Sequence, residues 1–190
     1  MGITLPEGDS AATARARRVL RAFDQGPEPP LALDRKTGTR ALAPPPTPSA
    51  PIPIYAPPLG DAPSLAAAAQ TGWRYLVTNS DRVGAIDVGT GKRARPELVC
   101  DASLAERLAR AVRIAVRRVE GEGDYELRLL DLSLVGDSLI WLASRAGADR
   151  FFTYAEMPEE VAAADVAETI RKGARALDAV RRSADPEAGG

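Results

Sequence analysis

Apolar positions recur with two different spacings along the chain, and these spacings predict its helices and strands. In residues 10–24 and 103–119, apolar side chains return every three to four positions, which is typical of amphipathic helices. A further helical run begins at Pro158 and continues to Arg182. Five segments carry the alternating or continuous apolar residues that are typical of strands: residues 73–78, 83–88, 125–134, 139–144 and 151–154.

The order of these elements predicts the fold class of residues 64–182. The order is β-β-α-β-β-β-α, and strands joined by short turns pair antiparallel. Two helices of this length cover one face of a five-stranded sheet. We therefore predict an α+β fold, a two-layer sandwich with a mainly antiparallel five-stranded sheet and both helices on one face. One core would join the two layers and contain Leu104, Leu108, Val112, Ile140, Leu142, Val166, Ile170 and Leu177.

The strand predicted at residues 125–134 changes phase in its middle. Apolar residues alternate on one face up to Leu129 and continue on the other face from Leu130. Such a shift of one residue has two explanations. Either a β-bulge lies near these two leucines, or the strand is covered on both faces.

Proline dominates the segment that precedes this domain, since twelve of the sixteen prolines lie between Pro27 and Pro63. Proline fixes φ and lacks a backbone N–H, so we expect neither a helix nor a central strand there. The chain then divides into an N-terminal amphipathic helix (1–26), a proline-rich arm or linker (27–63), the α+β domain (64–182) and a disordered tail (183–190).

The N-terminal helix has two possible roles. Asp9 or Ser10 can cap it, and Ala14, Val19, Leu20 and Phe23 can share its apolar side. It either docks on the domain or acts as a detachable helix that binds a partner.

The second half of the arm is too apolar for a pure spacer. Residues 48–51 have the spacing of a proline-motif ligand, a match that is common by chance. The apolar side chains that follow either pack on the domain or bind an external groove lined by aromatic residues. These candidate partner-binding residues are Ile52, Ile54, Tyr55 and Leu59.

The helix at 103–119 is strongly basic, although the whole chain is nearly neutral with 25 basic and 26 acidic residues. Its arginines could form a face for nucleic acid or another anionic partner, with Arg110, Arg113 and Arg117 as the candidate binding residues. Alternatively, they are solvated or pair with the acidic residues of the next helical region. The charge balance argues against nucleic acid. The acidic residues in question are Glu156, Glu159, Glu160, Asp165 and Glu168.

Composition excludes several kinds of chemistry. The chain contains no histidine, and Cys100 is its single cysteine. Histidine-based catalysis, histidine-ligated metals and cysteine-ligated zinc are therefore excluded, and we predict no catalytic residue, no cofactor and no metal site. The lone cysteine and the lack of an apolar stretch of about 20 residues predict a cytoplasmic protein without a membrane span.

Two polar residues, Asp131 and Ser133, interrupt the apolar strand at 125–134. A buried carboxylate there would have a raised pKa and could act as a general acid or base. More often such residues face solvent from the open side of a sheet. No second carboxylate stands at a diagnostic spacing, so we assign no catalytic role.

A short segment resembles a known repeat. Residues 75–79 and 85–91 resemble the Tyr-Val-Thr-Asn repeats of some β-propeller proteins. The pattern occurs once, whereas a propeller needs several four-stranded blades. The resemblance therefore implies a hairpin and carries no function.

These observations favour a non-enzymatic interaction or adaptor protein. Its α+β domain and proline-rich arm would engage a protein partner or a second copy of the chain. One alternative is a nucleic-acid-associated protein that uses the arginines of helix 103–119, although we expect no nucleic-acid partner. The other is a small-ligand-binding protein, or a carboxylate-based enzyme, with its site in the concave face of the sheet.

Overall fold

The computed structural model describes residues 2–24, 47–60, 63–79, 82–90, 96–99, 102–132 and 137–184. The helices in this part are α1 (Ser10–Asp24), α2 (Ala102–Arg118) and α3 (Ala163–Ala184). The strands are β1 (Ile3–Thr4), β2 (Thr47–Pro48), β3 (Ile52–Ala56), β4 (Ala69–Asn79), β5 (Arg82–Gly89), β6 (Pro96–Val99), β7 (Tyr125–Leu130), β8 (Leu139–Ser144), β9 (Arg150–Thr153) and β10 (Glu160–Val161). Most of the first half of the arm, Cys100, Ser133 and the predicted tail from residue 185 lie outside the described residues.

The predicted α+β class is confirmed, but the sheet is larger than predicted. Its strands lie in the order β10-β9-β8-β7-β3-β4-β5-β6, with β1 beside β7 and β2 beside β4. The five predicted strands correspond to β4, β5, β7, β8 and β9. Pairing is mostly antiparallel, yet β1 and β3 both run parallel to β7. The sheet is therefore mixed, and a strand that the sequence did not predict lies near its centre.

The prediction that both helices lie on one face of the sheet is wrong. Side chains of β7 alternate, so that Leu129 packs with α2 and Leu130 packs with α3. Pairing of β7 with β8 is continuous, which confirms a strand covered on both faces rather than a bulge. Because β8 is apolar on both faces, it needs a covering layer on each side. The helices therefore enclose the sheet from opposite faces, in three layers.

The expectation that the proline-rich segment contains no central strand is wrong for β3. This strand lies between β4 and β7, and Pro53 pairs with Trp73 of β4. Pairing with β7 is recorded from Ile54 onward, so the missing proline N–H falls at the end of that ladder, where proline is tolerated. Ile52 and Ile54 are 3% and 8% exposed and belong to the core beneath α2.

The rest of the apolar arm also packs within the molecule, as the intramolecular alternative predicts. Tyr55 and Leu59 pack against the core beneath α3. Residues 48–51, with the proline-motif spacing, run along β4. There the Ser49 N–H donates to the Leu76 carbonyl at 2.7 Å, and the Leu76 N–H donates to Ser49 Oγ at 3.0 Å.

Helix α1 docks on the same face of the sheet as α3, over β4 and β5. The Ala11 N–H donates to Asp9 Oδ1 at 2.9 Å, which confirms Asp9 as a capping residue. Ala12, Ala16 and Leu20 pack against the aromatic and aliphatic side chains of β4 and β5. The predicted Ala14 is exposed instead. No helix in the described residues is long and apolar enough to cross a membrane.

Candidate functional site

A cleft of about 980 Å³ opens between the first turns of α2 and the sheet. It lies at the edge of the sheet where β7 and β9 both end. Its apolar floor is formed by Ile54 of β3 and Leu129 of β7, which are register partners. Leu104 and Arg107 of α2 form the opposite wall.

An ion pair between two adjacent strands is fixed beside this floor. Arg74 of β4 lies directly opposite Asp87 of β5 in the register. Its Nε and Nη2 atoms donate to the two carboxylate oxygens of Asp87 at 2.7 and 2.6 Å. Such a two-pronged pair holds both side chains in one orientation. Burial lowers the pKa of Arg74, but the hydrogen bond and charge of Asp87 outweigh it and hold that pKa above its ordinary value.

Asp131 and Ser138 line the cleft from the two ends of the β7–β8 connection. Ser138 Oγ donates to Asp131 Oδ1 at 3.3 Å, and the Asp131 N–H donates to the Tyr55 carbonyl at 2.7 Å. Asp131 is half-buried. From the sequence, Asp131 could be either a buried acid or a residue that faces solvent. The structure places it in the wall of a cleft, hydrogen-bonded to a serine.

Tyr154 contributes a buried hydroxyl to the wall of the cleft. Tyr154 directly follows β9 and packs against the core beneath α2. Its hydroxyl oxygen is buried and has no hydrogen-bond partner within the described part of the chain. Leaving a buried hydroxyl unpaired costs about 1–3 kcal/mol.

Charged neighbours surround this hydroxyl. Burial raises the pKa of Tyr154 above its ordinary value. The charge of Arg74 opposes that shift, whereas the charges of Asp87 and Asp131 add to it. The phenol is therefore neutral at ordinary pH and can both donate and accept a hydrogen bond.

The mouth of the cleft carries further charges. Asp137 and Glu159 are exposed carboxylates in its lining, and the exposed Arg107 of α2 belongs to the same lining. Thr153 and Met157 complete that side. The cleft thus combines an apolar floor with polar groups from β4, β5 and β9, from the ends of β7, β8 and β10, and from α2.

Sequence reasoning missed Arg74, Asp87 and Tyr154 as site residues. A charged residue in an antiparallel strand ordinarily marks the solvent face, so nothing distinguished the first two. The sequence predicts Tyr154 as the last residue of a strand, with no functional role. Its single local signal was its position two residues after Phe152, on the same face of β9.

The structure places the other candidate residues elsewhere. Arg110, Arg113 and Arg117 lie exposed along α2, and within the described residues no ion pair joins them to a carboxylate. Asp165 and Glu168 belong to α3, on the opposite face of the sheet, and cannot pair with these arginines. Instead, Glu160 pairs with Arg150.

The structure also shows what surrounds Glu168 and Glu156, two of the acidic residues that the sequence suggests as partners for the arginines of α2. Glu168 pairs with residues of its own helix, among them Arg171 at 2.8 Å and Arg175 at 3.1 Å. Glu156 shares a shallow hollow of about 390 Å³ with Arg107 and Arg110.

No known protein family, curated protein or solved structure matches the chain. Among the residues that the structure describes, no group of three or more acidic or cysteine side chains is arranged to hold a metal ion. Function is therefore inferred from the geometry of the cleft.

Proposed function

We propose that this chain binds a small polar ligand in the cleft beneath α2. The observation that carries the proposal is the buried Tyr154 hydroxyl, which has no partner within the described residues and lies in the field of three charged side chains. Buried polar groups in native proteins are nearly always hydrogen-bonded, and an exception calls for an explanation such as a functional role, a bound water or a bound ligand. Because Tyr154 lines the cleft, a ligand that reaches this hydroxyl after a movement of neighbouring side chains supplies the missing partner.

The dimensions and position of the cleft support this proposal. Ligand sites occupy about 300–1,000 Å³ and combine apolar lining with a few convergent polar groups. The floor lies where β3 and β7 run parallel, after which the chain continues to β4 on one side and to β8 on the other. By analogy, open α/β sheets bind ligands outside the carboxyl ends of such diverging strands.

Changing Tyr154 to phenylalanine is expected to stabilise the free protein while weakening the ligand complex. Removal of the unpaired hydroxyl should raise the free energy of unfolding by about 1 kcal/mol, measured by urea denaturation. Loss of one ligand hydrogen bond, worth about 0.5–1.5 kcal/mol, should weaken the affinity for any ligand of the cleft about two- to tenfold. Ligands are found by thermal shift against a library of polar metabolites.

Tyr75→Phe is the matched control. The Tyr75 hydroxyl lies on the opposite face of the sheet, 3.1 Å from Thr13 Oγ1. Its removal should therefore destabilise the protein and leave ligand affinity unchanged. A Tyr154→Phe variant that is less stable than the parent would show that the hydroxyl is already satisfied, and the proposal would be rejected.

We propose a second function, interaction with an acidic protein partner, for the exposed arginines of α2. The arm contributes Ile52 and Ile54 to the core, so the interaction proposal no longer depends on these two side chains. It depends on the observation that Arg110, Arg113 and Arg117 have no carboxylate partner within the described residues. Charge complementarity mainly accelerates and orients such association.

Nucleic acid is not expected to bind this surface. The variant Arg110→Ala, Arg113→Ala, Arg117→Ala should bind duplex or single-stranded nucleic acid as weakly as the parent at physiological salt. Titration with salt provides the measurement, since phosphate contacts give a steep salt slope. A matched control replaces Arg171 and Arg175 of α3. Tight, salt-sensitive binding that the triple variant alone abolishes would instead assign the surface to nucleic acid.

A further inference from the structure

We infer that the ligand of the cleft is a hydroxylated organic amine, an inference that rests on the proposed binding function. Six charged side chains line the cleft among the described residues, two arginines against four carboxylates. The described part of the lining therefore has a formal net charge of −2. These residues are Arg74, Arg107, Asp87, Asp131, Asp137 and Glu159.

The inner cation cannot attract an anionic ligand strongly. The charge of Arg74 is already neutralised by the two-pronged pair with Asp87. An anion placed near Tyr154 would lie among carboxylates and lose its hydration. A ligand with a positive charge instead reduces the repulsion within the lining.

The hydrogen-bonding groups define what the ligand must donate. A carboxylate accepts and does not donate. Asp131 already accepts from Ser138, whereas the exposed carboxylates of Asp137 and Glu159 can accept from donors of the ligand. An ammonium group has three donor hydrogens. In the described part of the chain these carboxylates do not form a group suited to a metal ion, which favours an organic cation.

The neutral groups of the cleft add a second requirement. Three residues of its lining carry hydroxyls: Tyr154, Ser138 and Thr153. The Tyr154 hydroxyl can donate to, and accept from, a hydroxyl of the ligand. At about 980 Å³ the cleft has room for a molecule as large as a sugar. The positive group then lies toward the exposed carboxylates, and the hydroxylated part lies inside.

Three sugars of the same ring size test the charge of the ligand: glucosamine, glucose and glucuronate. Each is titrated into the full chain near pH 6, where the amine is protonated, and binding is followed by NMR chemical shifts. We expect glucosamine to bind at least tenfold more tightly than glucose, and glucuronate to bind most weakly. Spermidine, an amine without hydroxyls, should bind more weakly than glucosamine.

Substitutions separate the roles of the two ends of the cleft. The double change Asp137→Asn, Glu159→Gln should reduce the preference for glucosamine over glucose at least threefold, whereas Tyr154→Phe should weaken both sugars equally. Glu120→Gln, an exposed change at the other end of α2, is the control and should alter neither.

Several results would overturn the amine assignment. Glucuronate binding that exceeds glucosamine binding and weakens in Tyr154→Phe would reject an amine while retaining a ligand in the cleft. Failure of all four probes to bind would also reject the amine class. The proposed binding function of the cleft has a separate test. It is rejected if the Tyr154→Phe protein is less stable than the parent.

Discussion

Replacing Leu108 with alanine is expected to lower the free energy of unfolding by about 2–5 kcal/mol. Leu108 is 1% exposed and belongs to the core between α2 and the sheet. Its truncation removes buried apolar atoms and leaves a cavity that neighbouring strands cannot fill without moving. Urea denaturation of the variant and the parent measures the difference. A loss below about 0.5 kcal/mol, the range of surface substitutions, would contradict the packing of α2 described above.

Two further substitutions make this test specific. Val180→Ala on α3, at a residue that is 62% exposed, should change stability by less than about 0.5 kcal/mol. Ile170→Ala should clearly lower the free energy of unfolding, because the Ile170 side chain on α3 is buried in the core between that helix and the sheet. Since Leu108 and Ile170 lie on opposite faces of the sheet, their costs should add in the double variant. A coupling of 1 kcal/mol or more would indicate one shared core.

Replacing Ile54 with alanine is expected to destabilise the protein by about 2–5 kcal/mol. The residue lies in the proline-rich segment, where an external ligand motif would tolerate truncation. In the structure its side chain is buried beneath α2 and its backbone pairs with both β4 and β7. The cost therefore arises in the isolated chain, in the absence of any partner. Chemical denaturation measures it.

Leu5→Ala is the control for this prediction. Leu5 is an apolar residue that is 41% exposed, so its truncation should change stability by less than about 0.5 kcal/mol. Equal stability of the Ile54→Ala and Leu5→Ala proteins would show that β3 is not an integral strand. In that case, the recognition-motif alternative for the arm would be favoured.

Elements whose signal is local could be predicted from the sequence. Helix α1 begins and ends where its apolar periodicity predicts, at Ser10 and Asp24. The predicted helix at 103–119 is α2, Ala102–Arg118. The hairpin of β4 and β5 follows from alternation on either side of turn residues. Each depends on the chain near it, and the order β-β-α-β-β-β-α emerges from these local signals.

Features that depend on distant pairing could not be predicted. Strand β3 has five residues, and one of them is a proline. Rules based on the local sequence exclude such a segment from the interior of a sheet. Its position depends on β4 and β7, which are remote in sequence. The placement of α3 opposite α2 depends on which face of β8 each helix covers, and an all-apolar strand does not encode that choice.

The candidate site escaped prediction for the same reason. Arg74 and Asp87 become partners only through the β4–β5 register, and they meet Tyr154 only when β9 is aligned beyond β7 and β8. Asp131 was recognised as unusual, because a carboxylate within an apolar strand is conspicuous without any tertiary information. Its neighbours in the cleft were not recognisable in this way.

The central position of β3 has a consequence for how the chain folds. In the described sheet, β4, β5 and β6 form one set of paired strands and β7 to β10 form another, and β3 pairs with both. Hairpins within each set close short loops and form quickly, whereas β3 must wait for β7, which is synthesised much later. Topologies with such long-range pairing fold slowly. We therefore expect the two sets of strands to form separately during folding. Because β3 pairs with both sets, we expect them to unfold together in a single cooperative transition.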